Sequence, residues 1–222
     1  MKIIKPWVEL KRFDGVQMMK NLELAAKQCY RTTGNITDDS YKTFLRSCIN
    51  RGHESVIEHE KVTVRLCCDI GVYKDITRHR HASFSIESTR YCNYSKDKFE
   101  NELKFIEPVN IKKDTEEYKQ WYYAMENVEE TYMRMSQLGC IPDQMRMILP
   151  HSTASELCMT CNMREWRHIF SLRCEKFTHP AVQQVMIPLL LYFKEQMPEL
   201  FDGIKYNEDF DKNDYAELRI ID

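Results

Sequence analysis

Glycine spacing rules out two common nucleotide-binding folds for this chain. The sequence has 222 residues and six glycines, and no two of the glycines lie within ten residues of each other. They are Gly15, Gly34, Gly52, Gly71, Gly139 and Gly203. The glycine-rich turn of the dinucleotide-binding fold and the P-loop both need closely spaced glycines. If this chain binds a phosphate, side chains and helix N-termini must therefore hold it.

Charge and cysteine content indicate a globular protein of a reducing compartment. Lys and Arg number 32 against 34 Asp and Glu, so the net charge is -2. This balance excludes a protein that coats nucleic acid through a generally basic surface, and we expect no specific nucleic-acid partner. The N-terminus lacks a secretory apolar region, and the longest uncharged run, 177–193, contains prolines and glutamines, so we expect no membrane partner. Nine cysteines, an odd number, suggest free thiols in the cytoplasm.

Residue periodicity predicts an α+β fold. Residues 61–68 alternate between apolar and polar side chains, which is typical of a half-buried antiparallel strand. We predict one further strand within 2–12, and either a strand or an extended connection at 153–161. Helices are predicted at 15–30, 38–51 and 71–78, in a short segment opened by Pro142, after the cap residue Asn162, and at about 181–196.

The clearest helix is predicted at 115–138. Asp114 can cap it, with Glu117 in the first turn, and Gly139 ends it. Large apolar side chains recur along it at spacings of three and four residues. They are Tyr118, Trp121, Met125, Val128, Tyr132 and Met135. We interpret this stripe as helix packing in the core; an aromatic cofactor box is the alternative.

The segment 78–91 carries an unusual set of polar side chains. It reads R-H-R-H-A-S-F-S-I-E-S-T-R-Y and contains three arginines, two histidines and four small hydroxyl residues. Arginine presents forked donors that suit phosphates or planar carbonyl groups. Small hydroxyls orient a ligand through short hydrogen bonds. The composition indicates an anion or nucleotide site, and a solvated, salt-bridged helix end is the alternative.

This segment and three others resemble the flavin-dependent thymidylate synthases. The family signature is R-H-R, seven residues and Ser, which Arg78-His79-Arg80 and Ser88 match. G-H-E-S-V-I-E-H at 52–59 resembles the family's G-H-E-[ST]-x-x-E-H, and R-M-I-L-P at 146–150 resembles R-x-x-L-P. The segment 160–173 resembles T-x-N-x-R followed by L-R. Four matches in family order are a strong signal.

The resemblance implies a fold and a reaction. The fold would be α+β, with helices packed around a central antiparallel β-sheet. We place this catalytic domain at 1–202 and interpret 203–222, with six acidic and three basic residues, as a solvated acidic C-terminal tail with one short element. The family methylates dUMP to dTMP: methylenetetrahydrofolate supplies the one-carbon unit, FAD the hydride, and NADPH the electrons that reduce the flavin. Members are usually homotetramers with active sites shared between subunits.

The resemblance also implies roles for individual residues. FAD would be bound by His53, Ser55, Glu58, Arg78, His79, Arg80, Asn162, Arg164 and His168. The substrate dUMP would be bound by Asp75, Arg78, Ile86, Glu87, Ser88, Thr89, Arg90, Arg146 and Arg173. Among these, Arg90 and Arg173 would stabilise enolate charge on the uracil carbonyls. Ser88 would position the substrate, because no dedicated base lies beside it. We expect no metal.

Helix geometry separates two of these arginines. Arg164 and His168 are four residues apart and share a helix face. Arg173 falls instead on the apolar side, with Trp166 and Phe170. A charge on an apolar face needs a partner. We therefore predict that this helix serves two sites, FAD on one face and uracil on the other.

Two departures from the family pattern leave alternatives open. Many members carry Glu or Gln two residues before the signature serine, where this chain has Ile86 followed by Glu87. Asp75 stands where some members have Gln. One alternative is therefore the same scaffold making 5-hydroxymethyl-dUMP. The other is a nucleotide- or RNA-binding module without catalysis, although the intact flavin motifs argue against it.

Other motifs are weaker. The lone C-x-x-C at 158–161 has no second cysteine pair with matching spacing, so we interpret it as buried thiols rather than a zinc or redox site. The segment 52–59 lacks the H-E-x-x-H spacing of zinc metalloproteases, so we do not expect such a site there. No cysteine follows a proline, which excludes the zinc deaminase signature. It also excludes the nucleophile context of the flavin-free thymidylate synthases.

Overall fold

A five-stranded sheet forms the centre of the fold. The computed structural model describes residues 1–29 and 31–222. The strands are β1 (Lys2–Ile4), β2 (Trp7–Lys11), β3 (Lys61–Asp69), β4 (Ala82–Ile86), β5 (Lys104–Ile106), β6 (Ala154–Asn162) and β7 (Glu217–Ile221). The central order is β4-β6-β3-β2-β7, and β1 and β5 form a separate parallel pair. The α+β prediction is confirmed, but the sheet is mixed, because β7 joins β2 in parallel while the other neighbours are antiparallel.

The alternation predicted at 61–68 is confirmed in β3 as far as Leu66; Cys67, expected on the polar face, is instead buried in a small apolar cluster with Ile106 and Ala154. Val62, Val64 and Leu66 are buried on one side of the strand, while alternate polar residues are exposed. β3 pairs with β6 in nine consecutive residue pairs, so the region 153–161 contains a strand rather than an extended connection. The N-terminal region holds two short strands, β1 and β2, separated by Lys5 and Pro6.

In the described ranges, eight α-helices pack around the sheets. They are α1 (Gly15–Gln28), α2 (Ser40–Asn50), α3 (Ile70–Ile76), α4 (Glu116–Gln137), α5 (Pro142–Met145), α6 (Met163–Arg173), α7 (Pro180–Gln196) and α8 (Pro198–Phe201). Position 30, the end of the first predicted helix, lies outside the described residues. α7 continues through Pro188 as one helix. None of the helices in the described part of the chain is long and apolar enough to span a membrane.

The main core lies between one face of the central sheet and the helices α1, α6 and α7. Val8, Val64 and Met159 from the sheet belong to one buried cluster with Leu22 of α1 and Phe193 of α7. Burial of this apolar face supplies the main driving force for the fold. The opposite face of the sheet carries the polar residues of the same strands.

The start of α4 differs from the prediction. Thr115, not Asp114, caps the helix, because its hydroxyl accepts the Tyr118 N–H bond at 3.3 Å. Asp114 has a φ of +63°, in the left-handed region, and turns the chain one residue before the cap. Gly139, with a φ of +88°, follows the end of the helix as predicted.

The apolar stripe predicted along α4 packs into a second apolar cluster. Met125 and Tyr132 are buried in this cluster with Leu103 and Phe105. The other stripe residues in this cluster, Trp121, Val128 and Met135, pack partly buried around it.

The C-terminal segment 203–222 contains a short element as predicted, the strand β7, but it is not the solvated tail that its charge predicted. β7 pairs in parallel with β2 over five residue pairs. The chain is joined to α7 just before this strand: Gln184 O accepts the Ala216 N–H bond at 2.9 Å, and Gln184 Nε2 donates to Asp214 O at 2.7 Å. Leu218 and Ile220 pack partly buried against the core. Backbone pairing and a few apolar contacts thus outweigh the acidic composition.

Candidate active site

Helix α6 follows β6 without a connecting loop. Asn162 ends β6, and its side chain accepts a hydrogen bond from the Glu165 N–H at 2.9 Å. This confirms the helix cap predicted from the sequence. The Met163 N–H donates to Glu60 O at 3.1 Å, which joins the first turn of α6 to the segment before β3. Two family-like motifs that are distant in sequence therefore meet at this point.

The 3₁₀ turn Glu54–Glu58 contacts the first turns of α6 through ion pairs. Arg164 Nη1 donates to Glu58 Oε1 at 2.6 Å, and Arg164 Nε lies 3.8 Å from Glu54 Oε2. His53 and Ser55 are exposed in the same segment. The structure therefore brings together residues from both motifs that were predicted to bind FAD.

His79 is the buried centre of this cluster, with 6% of its surface exposed. Its Nδ1 lies 3.3 Å from Glu165 Oε1, and its Nε2 accepts a hydrogen bond from Arg173 Nε at 3.1 Å. The exposed His168 ring meets it edge to face, with ring centres 5.7 Å apart. Glu165 is not among the site residues predicted from the sequence. Its place, three residues after Asn162 and four after Cys161, carried no signal for this contact.

Arg173 has the partners that its position required. Besides the bond to His79, its Nη2 donates to the backbone carbonyl of Asp75 at 2.8 Å. Arg164 contacts the 54–58 turn instead. The two arginines thus contact different elements, as the helix geometry predicted. The assignment of FAD to one face and uracil to the other stays a prediction.

Arg78 and Arg80 flank His79 in the sequence and present free positive charge. Both side chains are exposed. Among residues 1–29 and 31–222, no carboxylate lies within ion-pair distance of either guanidinium. Unpaired guanidinium groups are strong, forked donors for phosphate oxygens. The donor chemistry here therefore fits the phosphates of a dinucleotide cofactor.

The two residues at the departure from the family pattern have opposite environments. Ile86 ends β4 and is exposed. Glu87 is half-buried, and the chain itself uses both of its carboxylate oxygens: Oε1 accepts from the Tyr94 hydroxyl at 3.0 Å and Oε2 from the Glu156 N–H at 3.3 Å. Glu87 thus joins the loop after β4 to β6. A ligand that contacts Glu87 would therefore have to share these oxygens with Tyr94 and Glu156.

Asp143 connects two of the arginines predicted to bind dUMP. Arg90 Nε donates to Asp143 Oδ1 at 3.1 Å, and Arg146 Nε lies 3.3 Å from the same oxygen. Ser88 and Thr89 are half-buried in the loop that precedes Arg90. Asp143 was missed by the sequence analysis, although its spacing of three residues before Arg146 could have suggested a helical ion pair.

The predicted site residues therefore form two groups. One surrounds α6 and the other surrounds Asp143. Between the described residues, no hydrogen bond or ion pair joins the two groups. A single chain thus displays two separate sets of the side chains predicted to bind ligands.

A surface cavity of about 890 Å³ lies at the polar side of the sheet. Ile86 and Glu87 line it, together with Trp7, Arg65 and Arg219. Both guanidinium groups lie over the Trp7 ring, at 5.5 Å for Arg65 and 4.7 Å for Arg219. The volume is in the range of small-molecule sites.

The C-x-x-C sequence cannot act as a chelating pair. Cys158 and Cys161 lie three apart in β6, and side chains three apart on a strand point to opposite faces. Cys161 is buried in the core, and burial raises the pKa of its thiol well above the ordinary value. All nine cysteines are free thiols.

His79 should make stability depend on pH. Burial, followed by the charge of Arg173 and then of His168 and Arg78, lowers the pKa of His79 from 6.5 to about 4, despite the nearby Glu165. Between these values the unfolded chain binds a proton that the folded chain does not, so stability rises with pH across this window. The contribution is fully present above pH 6.5.

In urea unfolding, we expect the free energy of unfolding of the wild type to fall by up to about 3 kcal/mol more than that of His79→Gln when the pH is lowered from 7 to 4. Far-UV circular dichroism at fixed protein concentration measures this difference. Parallel pH profiles for the two proteins would contradict it.

Comparisons with known proteins show the family and the fold of this chain. The family model described as thymidylate synthase complementing protein, Thy1, matches residues 16–199. A flavin-dependent thymidylate synthase of Pyrococcus abyssi is 34% identical over 144 residues, which are 64% of this chain and 58% of that protein. One of Geobacter sulfurreducens is 25% identical over 185 residues, which are 80% of this chain and 78% of that protein. The match thus spans less than two thirds of the Pyrococcus protein.

The fold has a solved counterpart. The crystal structure of a UMP/dUMP methylase, PolB from Streptomyces cacaoi, bound with 5-Br dUMP, superposes with a TM-score of 0.73 at 20% identity, covering 91% of this chain and 96% of that one. The family resemblance deduced from the four motifs is confirmed, because the family model covers well over half of the chain. This chain belongs to the thymidylate synthase complementing protein family.

Proposed function

We propose that this protein is an FAD-dependent thymidylate synthase that methylates dUMP to dTMP. Methylenetetrahydrofolate would be the one-carbon donor and NADPH the reductant. The observation that carries the proposal is the convergence of three family-like motifs on one helix: the 54–58 turn contacts α6 through Glu58 and Arg164, and the Arg78–Arg80 segment contacts it through His79. The names of the curated relatives support the same activity.

The residues present fit FAD. His53, Ser55, Arg78, Arg80 and His168 are exposed donors, and the two arginines have no carboxylate partner among the described residues. These would bind the cofactor together with Glu58, His79, Asn162 and Arg164. Arg164 would have to share its guanidinium between Glu58 and the cofactor. When bound and reduced, FAD supplies the hydride for the reaction.

The arginines explain how the chain would activate a pyrimidine. Carbon C5 of uracil is a weak nucleophile until charge develops on the ring carbonyls. Arg90 and Arg173 would donate hydrogen bonds to that charge, which lowers the energy of the enolate. Arg173 is held at two points and therefore needs little reorganisation. Asp75, Ile86, Glu87, Thr89 and Arg146 would complete the dUMP site.

Ser88 would position the substrate rather than attack it. Within the described residues, no histidine or carboxylate hydrogen-bonds to its hydroxyl, and an attacking serine needs such a base. Its backbone carbonyl accepts the N–H bonds of Tyr91 and Cys92, at 3.0 and 2.9 Å, which fixes the loop.

We further propose a homotetramer with shared active sites. The two groups of site residues are not joined within the described chain, so a complete site can be formed if a second copy supplies one of them. Large apolar side chains near both groups are exposed, including Phe177, Tyr91 and Met147. Nine free thiols suit the reducing cytoplasm that we propose as the location.

A product assay tests the function. Purified protein is mixed anaerobically with dUMP, FAD, NADPH and methylenetetrahydrofolate, and the nucleotide is identified by mass spectrometry with and without flavin. We expect dTMP only when flavin is present. A 5-hydroxymethyl product would favour the alternative that Ile86 leaves open. No new nucleotide from folded protein that retains FAD would contradict the proposed chemistry.

A further inference from the structure

Three side chains, two of them buried and the third, Arg173, half-buried, form a connection from one end of α6 to the other. Glu165 lies in the first turn of the helix and is 7% exposed. His79, which is 6% exposed, uses both ring nitrogens: Nδ1 faces Glu165 and Nε2 accepts from Arg173, the last residue of α6. Nothing in the proposed function so far uses Glu165.

We infer that Glu165 is a positioning residue for Arg173 and acts through the tautomer of His79. Because Nε2 accepts the Arg173 Nε–H bond, the proton of a neutral ring must be on Nδ1, which faces Glu165. An ionised carboxylate accepts hydrogen bonds but cannot donate them, so it selects this tautomer. This inference rests on the proposed role of Arg173 at the uracil ring.

The consequence for Arg173 is geometric. Its Nε is held by His79 and its Nη2 by the Asp75 carbonyl, which orients the guanidinium plane and leaves its other N–H groups for a ligand. Burial lowers the pKa of His79 to about 4, so the ring is neutral near pH 7. Without Glu165 the ring proton could move to Nε2. The Nε2–H of His79 would then point at the Arg173 Nε–H, and two donors cannot form a hydrogen bond with each other.

A metal ion is the other occupant that this cluster suggests. His79, Glu165 and His168 offer ligand atoms that all lie within 4.8 Å of one another. However, the lone pair of His79 Nε2 is taken by Arg173, and the guanidinium would repel a cation at this distance. The hydrogen-bonded connection is therefore the arrangement that the charges favour, and bound metal is an outcome of the test.

Solid-state ¹⁵N NMR on histidine-labelled protein reads the tautomer directly. The His79 signals are assigned by their loss in His79→Gln. We expect wild-type His79 to be protonated on Nδ1 only, and Glu165→Ala to show an Nε2-protonated population. A wild-type ring protonated on Nε2, an unchanged tautomer in Glu165→Ala, or one metal ion per chain by elemental analysis would each overturn the inference. The spectrum needs neither dUMP nor FAD, so it decides the inference even if the proposed function fails.

Kinetics supply the second readout. We expect Glu165→Ala to lower kcat for dTMP formation by about 100-fold, since misplacing a transition-state contact acts on kcat more than on KM. Glu165→Gln keeps an acceptor for the Nδ1–H and should recover most of the rate. If Glu165→Ala does not fold, the wild-type spectrum and Glu165→Gln still test the inference. Glu175→Gln removes an exposed carboxylate two residues beyond Arg173 and is the matched control. A higher KM for dUMP with an unchanged kcat would also overturn the inference.

Discussion

Arg173→Lys should lower kcat for dTMP formation by about 100-fold to 1,000-fold, which is the usual effect of losing a donor to transition-state charge. In the structure the guanidinium donates through Nε to His79 at 3.1 Å and through Nη2 to Asp75 O at 2.8 Å. A lysine ammonium is a single point of charge and cannot hold both contacts while directing a planar donor pair at a uracil carbonyl. The charge is conserved, so the loss measures geometry.

The measurement is steady-state dTMP formation at saturating and limiting dUMP, with flavin content read from the absorbance of the purified protein. FAD retention should stay close to that of the wild type, because Arg173 is assigned to the substrate. Arg134→Lys, at an exposed position of α4, is the matched control. A change of less than about 3-fold in kcat/KM for Arg173→Lys would remove Arg173 from the proposed mechanism.

Trp166→Ala should lower the free energy of unfolding by about 3–5 kcal/mol, the usual cost of truncating a fully buried tryptophan. The side chain is completely buried. It stacks on Phe170 with ring centres 5.4 Å apart, and its Nε1 donates to Val62 O at 3.2 Å. This single residue therefore ties α6, which carries the candidate site, to the central sheet.

Urea unfolding followed by far-UV circular dichroism measures the loss without relying on tryptophan emission. Protein concentration is held fixed, because an oligomer would make the apparent stability concentration-dependent. Trp166→Phe preserves the aromatic packing and removes the indole N–H, so it should lose only about 1–2 kcal/mol. Equal losses in the two variants would show that the hydrogen bond to Val62, not the packing, holds α6 in place.

Local patterns predicted the local parts of this structure. The alternation at 61–68 predicted β3 because side chains on a strand point to alternate faces, and one face of this sheet meets the main core. Asn162 predicted the start of α6 because an N-cap bond spans only three residues. The four motifs identified the family, since each motif is contiguous in sequence. The same local reasoning placed the cap of α4 one residue too early, at Asp114. Its residue type does not reveal that its backbone is left-handed.

Tertiary structure decided everything that depends on residues far apart in the chain. The acidic composition of 203–222 predicted a tail, yet β7 pairs with β2 through backbone groups that carry no sequence signal. Ile86 and Glu87 were both predicted to contact dUMP, and only the tertiary structure shows that Glu87 also accepts hydrogen bonds from Tyr94 and Glu156. The contact of His79 with both ends of α6 joins positions about ninety residues apart. Sequence alone determined which chemical groups and which local elements are present; only folding placed those groups beside each other, because hydrogen bonds and charge pairs depend on distance in space.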